Sequence, residues 1–258
     1  MSRAFNFGEF ENGKAQQPLS SVLTEHEAEL DHFFGRCQKL CAKILRLFAL
    51  GLEIDHQGGG EDWFSSKHDP AKGPSGSVLR LLYYPALAPS MEHDPSADLR
   101  AGAHSDYGSI TLLFQRPGQP GLEIQNPSSE WSPVPVSPAG TEDDAVPPIL
   151  VNIGDLLSYW TNGLFKSTVH RVIFPKEGRK GGQDRYSIAY FCHPLNTTEL
   201  VPVPSPKVSV RREGSAGEDG RAMTAEEHLN RRLAATYGWV KDEEGGVGVE
   251  MMHTSGRS

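Results

Sequence analysis

The sequence predicts a mainly β fold with flanking helices, built round a jelly-roll core, and three observations carry that prediction. From Val78 the chain breaks into short runs rich in β-branched and aromatic residues: SVLRLLYYP, SITLLF, GLEIQ, PILVNIG, HRVIFP, RYSIAYFCHP and KVSV. Pro, Gly or Asn separates them, which is the punctuation of a sandwich or barrel. One long helical pattern precedes these runs and a shorter one follows, and helices laid against a jelly-roll sheet accommodate both.

Each element has its own signal. Over residues 24–51, Leu30, Phe33, Phe34, Cys37, Leu40, Ile44, Leu47 and Phe48 recur at three- and four-residue steps. That spacing places them on one wide apolar helix face. Thr24 and Glu27 form a capping box at its start, and Gly51 suits its end. Residues 56–76 read as a polar, Gly-rich connection around DWFSS. The stretches 137–148 and 212–221 and the tail after Lys241 are acidic or Gly-rich and read as loops. A closing helix starts at Thr224, with Glu227 completing a second box, and ends near Gly238. This divides the chain into an N-terminal helical segment (1–76), a β core (77–206) and a C-terminal loop, helix and tail (207–258).

Composition narrows the function classes. The chain has 258 residues, 37% of them hydrophobic, enough to bury a core without covalent staples. It carries 25 basic and 33 acidic residues, a formal net charge of −8, so a nucleic-acid partner is not expected. The pairs Arg211-Arg212 and Arg231-Arg232 read as solvated surface. No apolar stretch is long enough to span a bilayer, and the first residues lack a charged-then-apolar signal. No membrane partner is expected. Cys37, Cys41 and Cys192 are too few for a disulfide framework. Cys37 and Cys41 lie one turn apart on the apolar face, where two buried small hydrophobes outweigh a metal pair. A cytoplasmic location follows as the default.

The stretch AHSDYGSITLLF (103–114) sets His104 and Asp106 at the edge of an apolar run. His-x-Asp alone is cheap, since a chain with this composition produces one by chance about half the time. Its company makes it informative. His170 enters the run HRVIF, and RYSIAYF places Arg185 and Ser187 at alternate positions, hence on one strand face. Two imidazoles and one carboxylate on one side of an octahedral ion leave open positions, as Fe(II) oxygenases require. A strand would let His104 and Asp106 converge at i and i+2 while Ser105 points away. A structural zinc site would need a fourth ligand, and only His193 is near in sequence.

An arginine on a core strand is costly to bury unless an anion meets it. Its planar fork matches a carboxylate, and Ser187 can donate to the same group. A dicarboxylate such as 2-oxoglutarate could then bridge the metal and Arg185. The competing reading pairs Arg185 with an internal acid such as Asp155.

The ordered series LRLLYYP, HSDYGSITLLF, GLEIQ, VNIGDLLSYWTNGLFKSTVHRV and RYSIAYFCHP resembles the isopenicillin N synthase-like branch of the 2-oxoglutarate/Fe(II)-dependent dioxygenases. The likeness is strongest over residues 78–206. It implies a double-stranded β-helix (jelly-roll) core, with His104, Asp106 and His170 as iron ligands. It further implies Arg185 and Ser187 as the clamp for 2-oxoglutarate, Tyr84 facing the co-substrate, and Phe191 as an aromatic wall beside the substrate. Burial alone would also explain the last two. Many plant members carry Asn two positions before that tyrosine, where this chain has Leu82.

The resemblance implies a non-haem Fe(II) enzyme that couples 2-oxoglutarate and O2 to oxidation of a small-molecule substrate, most simply its hydroxylation, releasing succinate and CO2. An isopenicillin N synthase-type oxidase would use the same residues without 2-oxoglutarate. A third reading is a non-catalytic metal-binding remnant. RAFNFGEFENGKAQQPL resembles the join that follows the family's N-terminal segment of roughly a hundred residues, yet it begins at residue 3. The expectation is a shortened front, an open sheet edge, and a homodimer that covers it.

Overall fold

The computed structural model describes residues 3–86, 99–174, 183–209, 221–237, 240–241 and 247–248. Two antiparallel sheets form its centre. The larger consists of β1 (Arg3–Phe7), β4 (Val78–Tyr84), β11 (Arg185–Cys192), β6 (Ile110–Gln115) and β9 (Leu150–Ile153), hydrogen-bonded in that order. The smaller consists of β5 (Leu99–His104), β10 (His170–Ile173), β7 (Leu122–Gln125) and β8 (Trp131–Pro133). Strands distant in sequence lie side by side, as a jelly roll requires, and the expected fold class is met.

Alternation along the strands gives the larger sheet two distinct faces. On β11, Arg185, Ser187, Ala189 and Phe191 face inward and line a cavity between the sheets, together with residues of the smaller sheet. Tyr190 and Cys192 face outward, into a hydrophobic core beneath a long helix. That helix, α2 (Glu27–Gly51), packs Phe33 on Phe114 and Phe34 on Tyr190, with ring centroids 5.1 and 5.0 Å apart. The fold thus buries its main core on one side of the sheet and encloses a cavity on the other.

The helical pattern is interrupted where the sequence reads as continuous. α1 (Ser21–Glu25) stops at His26 before α2 begins. The Thr24–Glu27 box does not form. Thr24 donates its hydroxyl to the Ser20 carbonyl, and the Glu27 carboxylate accepts from the Ala15 amide at 3.0 Å and Lys14 Nζ at 2.7 Å. The small hairpin of β2 (Phe10–Glu11) and β3 (Lys14–Ala15) brings an amide and an ammonium to that carboxylate, outcompeting the local cap. Leu47, assigned to the apolar face, points to solvent at 64% exposure. The other assigned residues do pack on the core, Phe34 and Cys37 fully buried alongside Cys41 and Leu45, and Leu30, Phe33, Leu40, Ile44 and Phe48 partly so. α2 includes Gly51, and the left-handed residue beyond it is Glu53, at φ 55°.

Other segments also depart from expectation. DWFSS is core rather than loop: Trp63 and Phe64 are buried against Trp160 within a series of short 3₁₀ turns. KVSV forms no strand over its described residues. Lys207 Nζ donates to the Gly51 carbonyl and Ser205 to the Leu52 carbonyl, so this segment closes the end of α2. All three cysteines are free and buried, as the hydrophobic reading expects. The second capping box is present. The Thr224 amide donates to the Glu227 carboxylate at 2.8 Å, and the Glu227 amide to Thr224 Oγ1 at 3.2 Å. It starts α4 (Ala225–Tyr237), while a short helix α3 (Asp155–Trp160) follows β9. Residues 137–148 form turns. Arg211-Arg212 and nearly all of 212–221 lie outside the described residues. So does most of the tail, of which Val240–Lys241 pairs with Val247–Gly248.

Candidate metal and co-substrate site

His104, Asp106 and His170 offer ligand atoms that all lie within 4.8 Å of one another. They converge by a route different from the i, i+2 alternation of one strand. His104 is the last residue of β5, whereas Asp106 lies beyond it in the turn that leads to β6. β5 and β10 pair His104 directly with His170, which puts their rings 4.3 Å apart. The turn then carries Asp106 back over this pair, so that Oδ1 stands 3.9 Å from His104 Nε2 and 3.7 Å from His170 Nε2. Ser105 does point away, as expected, and donates its hydroxyl to Asp155 Oδ2 at 3.0 Å.

Close backbone packing fixes the turn. The Asp155 amide, at the start of α3, donates to the Asp106 carbonyl at 2.7 Å, and the Gly154 amide donates to the Ser109 carbonyl at 3.0 Å. A methyl group on Gly154 would stand 2.3 Å from the Gly108 carbonyl oxygen, so only glycine allows this approach. α4 braces the turn from outside. Arg232 pairs with Asp155 at 2.7 Å, and the Tyr107 hydroxyl donates to Thr236 at 2.7 Å.

Hydrogen bonds also determine which atoms are free. His104 Nδ1 lies 2.8 Å from the Gly102 carbonyl, and His170 Nδ1 lies 3.0 Å from that of Thr168. A carbonyl only accepts, so each ring carries its proton on Nδ1 and presents the Nε2 lone pair to the site. Asp106 Oδ2 accepts from Thr111 Oγ1 at 2.6 Å and Asn152 Nδ2 at 2.8 Å, leaving Oδ1 toward the imidazoles. Two neutral nitrogens and one anionic oxygen form a donor set suited to a divalent transition metal with open positions. No fourth His, Cys, Asp or Glu joins the cluster among the described residues. Asp106 is buried while the His104 side chain is 48% exposed, so the site opens past His104.

The other end of the same cavity holds Arg185. The cavity measures about 150 Å³ and reaches from the triad to Arg185, Ser187 and Tyr84. Arg185 is 1% exposed, yet it meets no carboxylate among the described residues. Nη1 donates to Ser187 Oγ and Nη2 to Gln115 Oε1, both at 3.2 Å, and Nε has no partner among the described residues. Burial pulls its pKa down, only partly opposed by Tyr84. Asp155, the internal acid of the competing reading, is engaged instead by Arg232 and Ser105. The Tyr84 ring lies 5.6 Å from the guanidinium and also lines the cavity, and burial raises the pKa of its phenol. Leu82 and Phe191 line it too.

Three residues that support the site escaped the sequence reading: Thr111, Gln115 and Asn152. Each is a polar residue in an otherwise apolar strand run, ITLLFQ for the first two and ILVNI for Asn152, and that setting was the available signal. Replacing Asn152 with Ala, or Thr111 with Val, should weaken metal affinity by about 10- to 100-fold while the fold persists, as is usual for groups that orient a ligand. Competition against a fluorescent chelator would measure it, and unchanged affinity would show that Oδ2 needs no such restraint.

Behind the turn lie two histidines outside the metal cluster, His193 buried and His68 half-buried. His193, outside the metal cluster, has its pKa pushed down to about 3, mainly by burial and then by His68 and His228. Burial likewise lowers His68 to about 4, against an opposing contribution from the Phe64 carbonyl. Both bind a proton only on unfolding, because the unfolded value is 6.5. Between about pH 6.5 and 4 the unfolded chain holds protons that the folded chain lacks, so stability falls as pH falls. Each pKa unit amounts to about 1.4 kcal/mol, so the total loss is several kcal/mol. Urea unfolding at pH 7, 6 and 5 should show a falling midpoint, and His193→Gln should flatten the dependence.

Comparison with known proteins places this architecture. The 2OG-Fe(II) oxygenase superfamily model matches residues 75–194, a span that contains the triad and Arg185. The chain is 36% identical to UPF0676 protein C1494.01 of Schizosaccharomyces pombe over 254 residues, covering 97% of this chain and 69% of that protein. A full-length Neurospora crassa protein, solved in complex with alpha-KG, superposes with a TM-score of 0.69 at 32% identity, covering 92% of this chain and 66% of that one. The chain belongs to the 2OG-Fe(II) oxygenase superfamily. The matched span is that of a 2-oxoglutarate- and Fe(II)-dependent oxidoreductase superfamily, and the His104, Asp106 and His170 cluster and the Arg185 cavity both fall inside it. Proline hydroxylase buaE of Petromyces alliaceus is 34% identical over 83% of this chain and 61% of its own length. The chain thus spans between three-fifths and seven-tenths of these two curated relatives. Among the described residues no helix is long and apolar enough to cross a membrane.

Proposed function

We propose that this oxygenase hydroxylates a small organic molecule at a site built by residues 77–206, converting 2-oxoglutarate to succinate and CO2. His104, Asp106 and His170 hold Fe(II) in this reading, and Arg185 and Ser187 receive the far carboxylate of 2-oxoglutarate beside Tyr84. Phe191 stands against the substrate. When bound, Fe(II) with 2-oxoglutarate supplies the activation of dioxygen needed to oxidise an unactivated C–H bond. The protein's own residues orient and exclude water. Thr111 and Asn152 aim the Asp106 carboxylate, the Nδ1 contacts fix both imidazole tautomers, and the apolar lining of Leu82, Leu113, Leu122 and Val172 keeps the cavity dry.

The observation that carries the reading is the buried Arg185, which meets no carboxylate among the described residues, at the far end of the cavity from the triad. A dicarboxylic co-substrate supplies the missing anion. Small substrates suit the cavity, and the Neurospora protein is described with thymine bound. The test is to incubate Fe(II)-loaded protein with 2-oxoglutarate and oxygen and to quantify succinate. Succinate equal to the 2-oxoglutarate consumed supports the reading. Turnover of a substrate with no 2-oxoglutarate consumed would favour an isopenicillin N synthase-type oxidase, and no turnover at all a binding remnant.

The same reading includes a cytoplasmic setting, supported by three unpaired thiols, and a homodimer formed along the edge of the larger sheet, where β1 is the outermost strand. Sedimentation would measure the assembly state.

A further inference from the structure

We propose that Arg80 is the substrate-recognition residue of this site and selects a small apolar molecule that bears a carboxylate. The inference rests on the assignment of Arg185 to 2-oxoglutarate, and it concerns a second, separate cation in the same cavity.

Arg80 stands on β4 with its side chain on the cavity face. Strand register places it away from Arg185. β11 pairs Tyr84 with Arg185 and Arg80 with Ala189, so the two arginines lie two inward-facing steps apart along the ladder. An antiparallel strand advances about 3.4 Å per residue, which makes this separation roughly 13 Å. The next inward step leads to Phe191, whose partner on β6 is Thr111, the residue that holds Asp106. Arg80 therefore sits at the metal's end of the cavity, and Arg185 at the co-substrate's end.

Its guanidinium is restrained but unneutralised. Nε donates to Asn6 Oδ1 at 2.7 Å, from the β1 residue opposite it in register. The guanidinium carbon lies over the Phe191 ring at 5.2 Å from its centroid. No acidic group pairs with it among the described residues. The Nη1 and Nη2 fork is thus pre-oriented and free, the geometry that recognises a carboxylate in two-point contact. The remaining walls nearby are apolar: Leu113, Ile124, Leu150 and Phe191. A cationic fork on one side and apolar walls on the others describe an apolar acid, with the charge on Arg80 and the hydrocarbon body toward the metal.

The test uses protein loaded anaerobically with Mn(II) and 2-oxoglutarate, so that Arg185 is occupied first. Benzoate and 3-methylbutanoate are titrated in, with benzamide as the uncharged isostere of benzoate, and line broadening of their proton resonances by Mn(II) is followed. The proposal expects saturable broadening for at least one acid and none for benzamide. Arg80→Gln should weaken the acid by at least tenfold while 2-oxoglutarate affinity stays within twofold of wild type. Equal binding of benzoate and benzamide, no binding of either acid, or an Arg80→Gln variant that keeps acid affinity would overturn it. So would an equal loss of 2-oxoglutarate affinity, which would assign Arg80 to the co-substrate. Failure of wild-type protein to bind 2-oxoglutarate at the outset would instead sink the reading on which the proposal stands.

Discussion

An Arg185→Met variant should lose 2-oxoglutarate binding and yet be at least as stable as the parent when free of ligand. Two physical effects, opposite in consequence, lie behind this. In the free protein the guanidinium is 1% exposed and, among the described residues, meets only neutral acceptors, so no counter-charge there repays its desolvation. Methionine fills a similar volume without that cost. With co-substrate present the balance reverses, because truncating one partner of a buried charge pair typically costs 2–5 kcal/mol. Affinity for 2-oxoglutarate should fall by about 100-fold or more. Thermal unfolding reads both effects at once. The parent melts higher as 2-oxoglutarate is added to the metal-loaded protein, whereas the variant starts no lower and does not respond. A variant that melts well below the parent but still responds would make Arg185 a structural residue.

Asp106→Asn should abolish metal binding without unfolding the chain. Thr111 and Asn152 both donate to Oδ2. An asparagine at 106 keeps those two bonds only by turning its carbonyl oxygen to them. Its NH2 group must then point at the space between the two Nε2 atoms, placing a donor where the metal needs a lone pair. The loss should exceed the roughly 100-fold that supporting residues account for, and succinate formation should stop with it. The melting temperature of the metal-free protein should change little, since the turn keeps its hydrogen bonds. Metal affinity within tenfold of the parent would show that Asp106 is not a ligand.

These two residues also show how legible the site was. His170, Arg185 and Ser187 were readable as charged or polar groups beside or within apolar strand runs, where burial demands a reason, and His104 and Asp106 only in their company. The geometry that unites them was only partly readable. Asp106 reaches the imidazoles through a turn rather than by strand alternation, and that turn depends on Gly154, Asp155 and Arg232, more than 45 residues away in sequence. No local pattern encodes such contacts. The short runs of β4, β6, β7, β9, β10 and β11 were legible from composition and punctuation. β1, β5 and β8 were not, because sheet pairing rather than apolar content makes them strands. The two capping boxes make the same point. Thr224–Glu227 forms as written, whereas Glu27 is captured by a hairpin that the local sequence does not announce.

The central claim is that one cavity holds a divalent metal on His104, Asp106 and His170 and a dicarboxylate on Arg185. Anaerobic titration of the Fe(II)-loaded protein with 2-oxoglutarate tests it most directly. The account predicts a visible charge-transfer absorption band that saturates at one 2-oxoglutarate per chain, is absent in Asp106→Asn, and requires far higher concentrations in Arg185→Met. A parent protein that binds Fe(II) but shows no band, or a band unchanged in both variants, would contradict it.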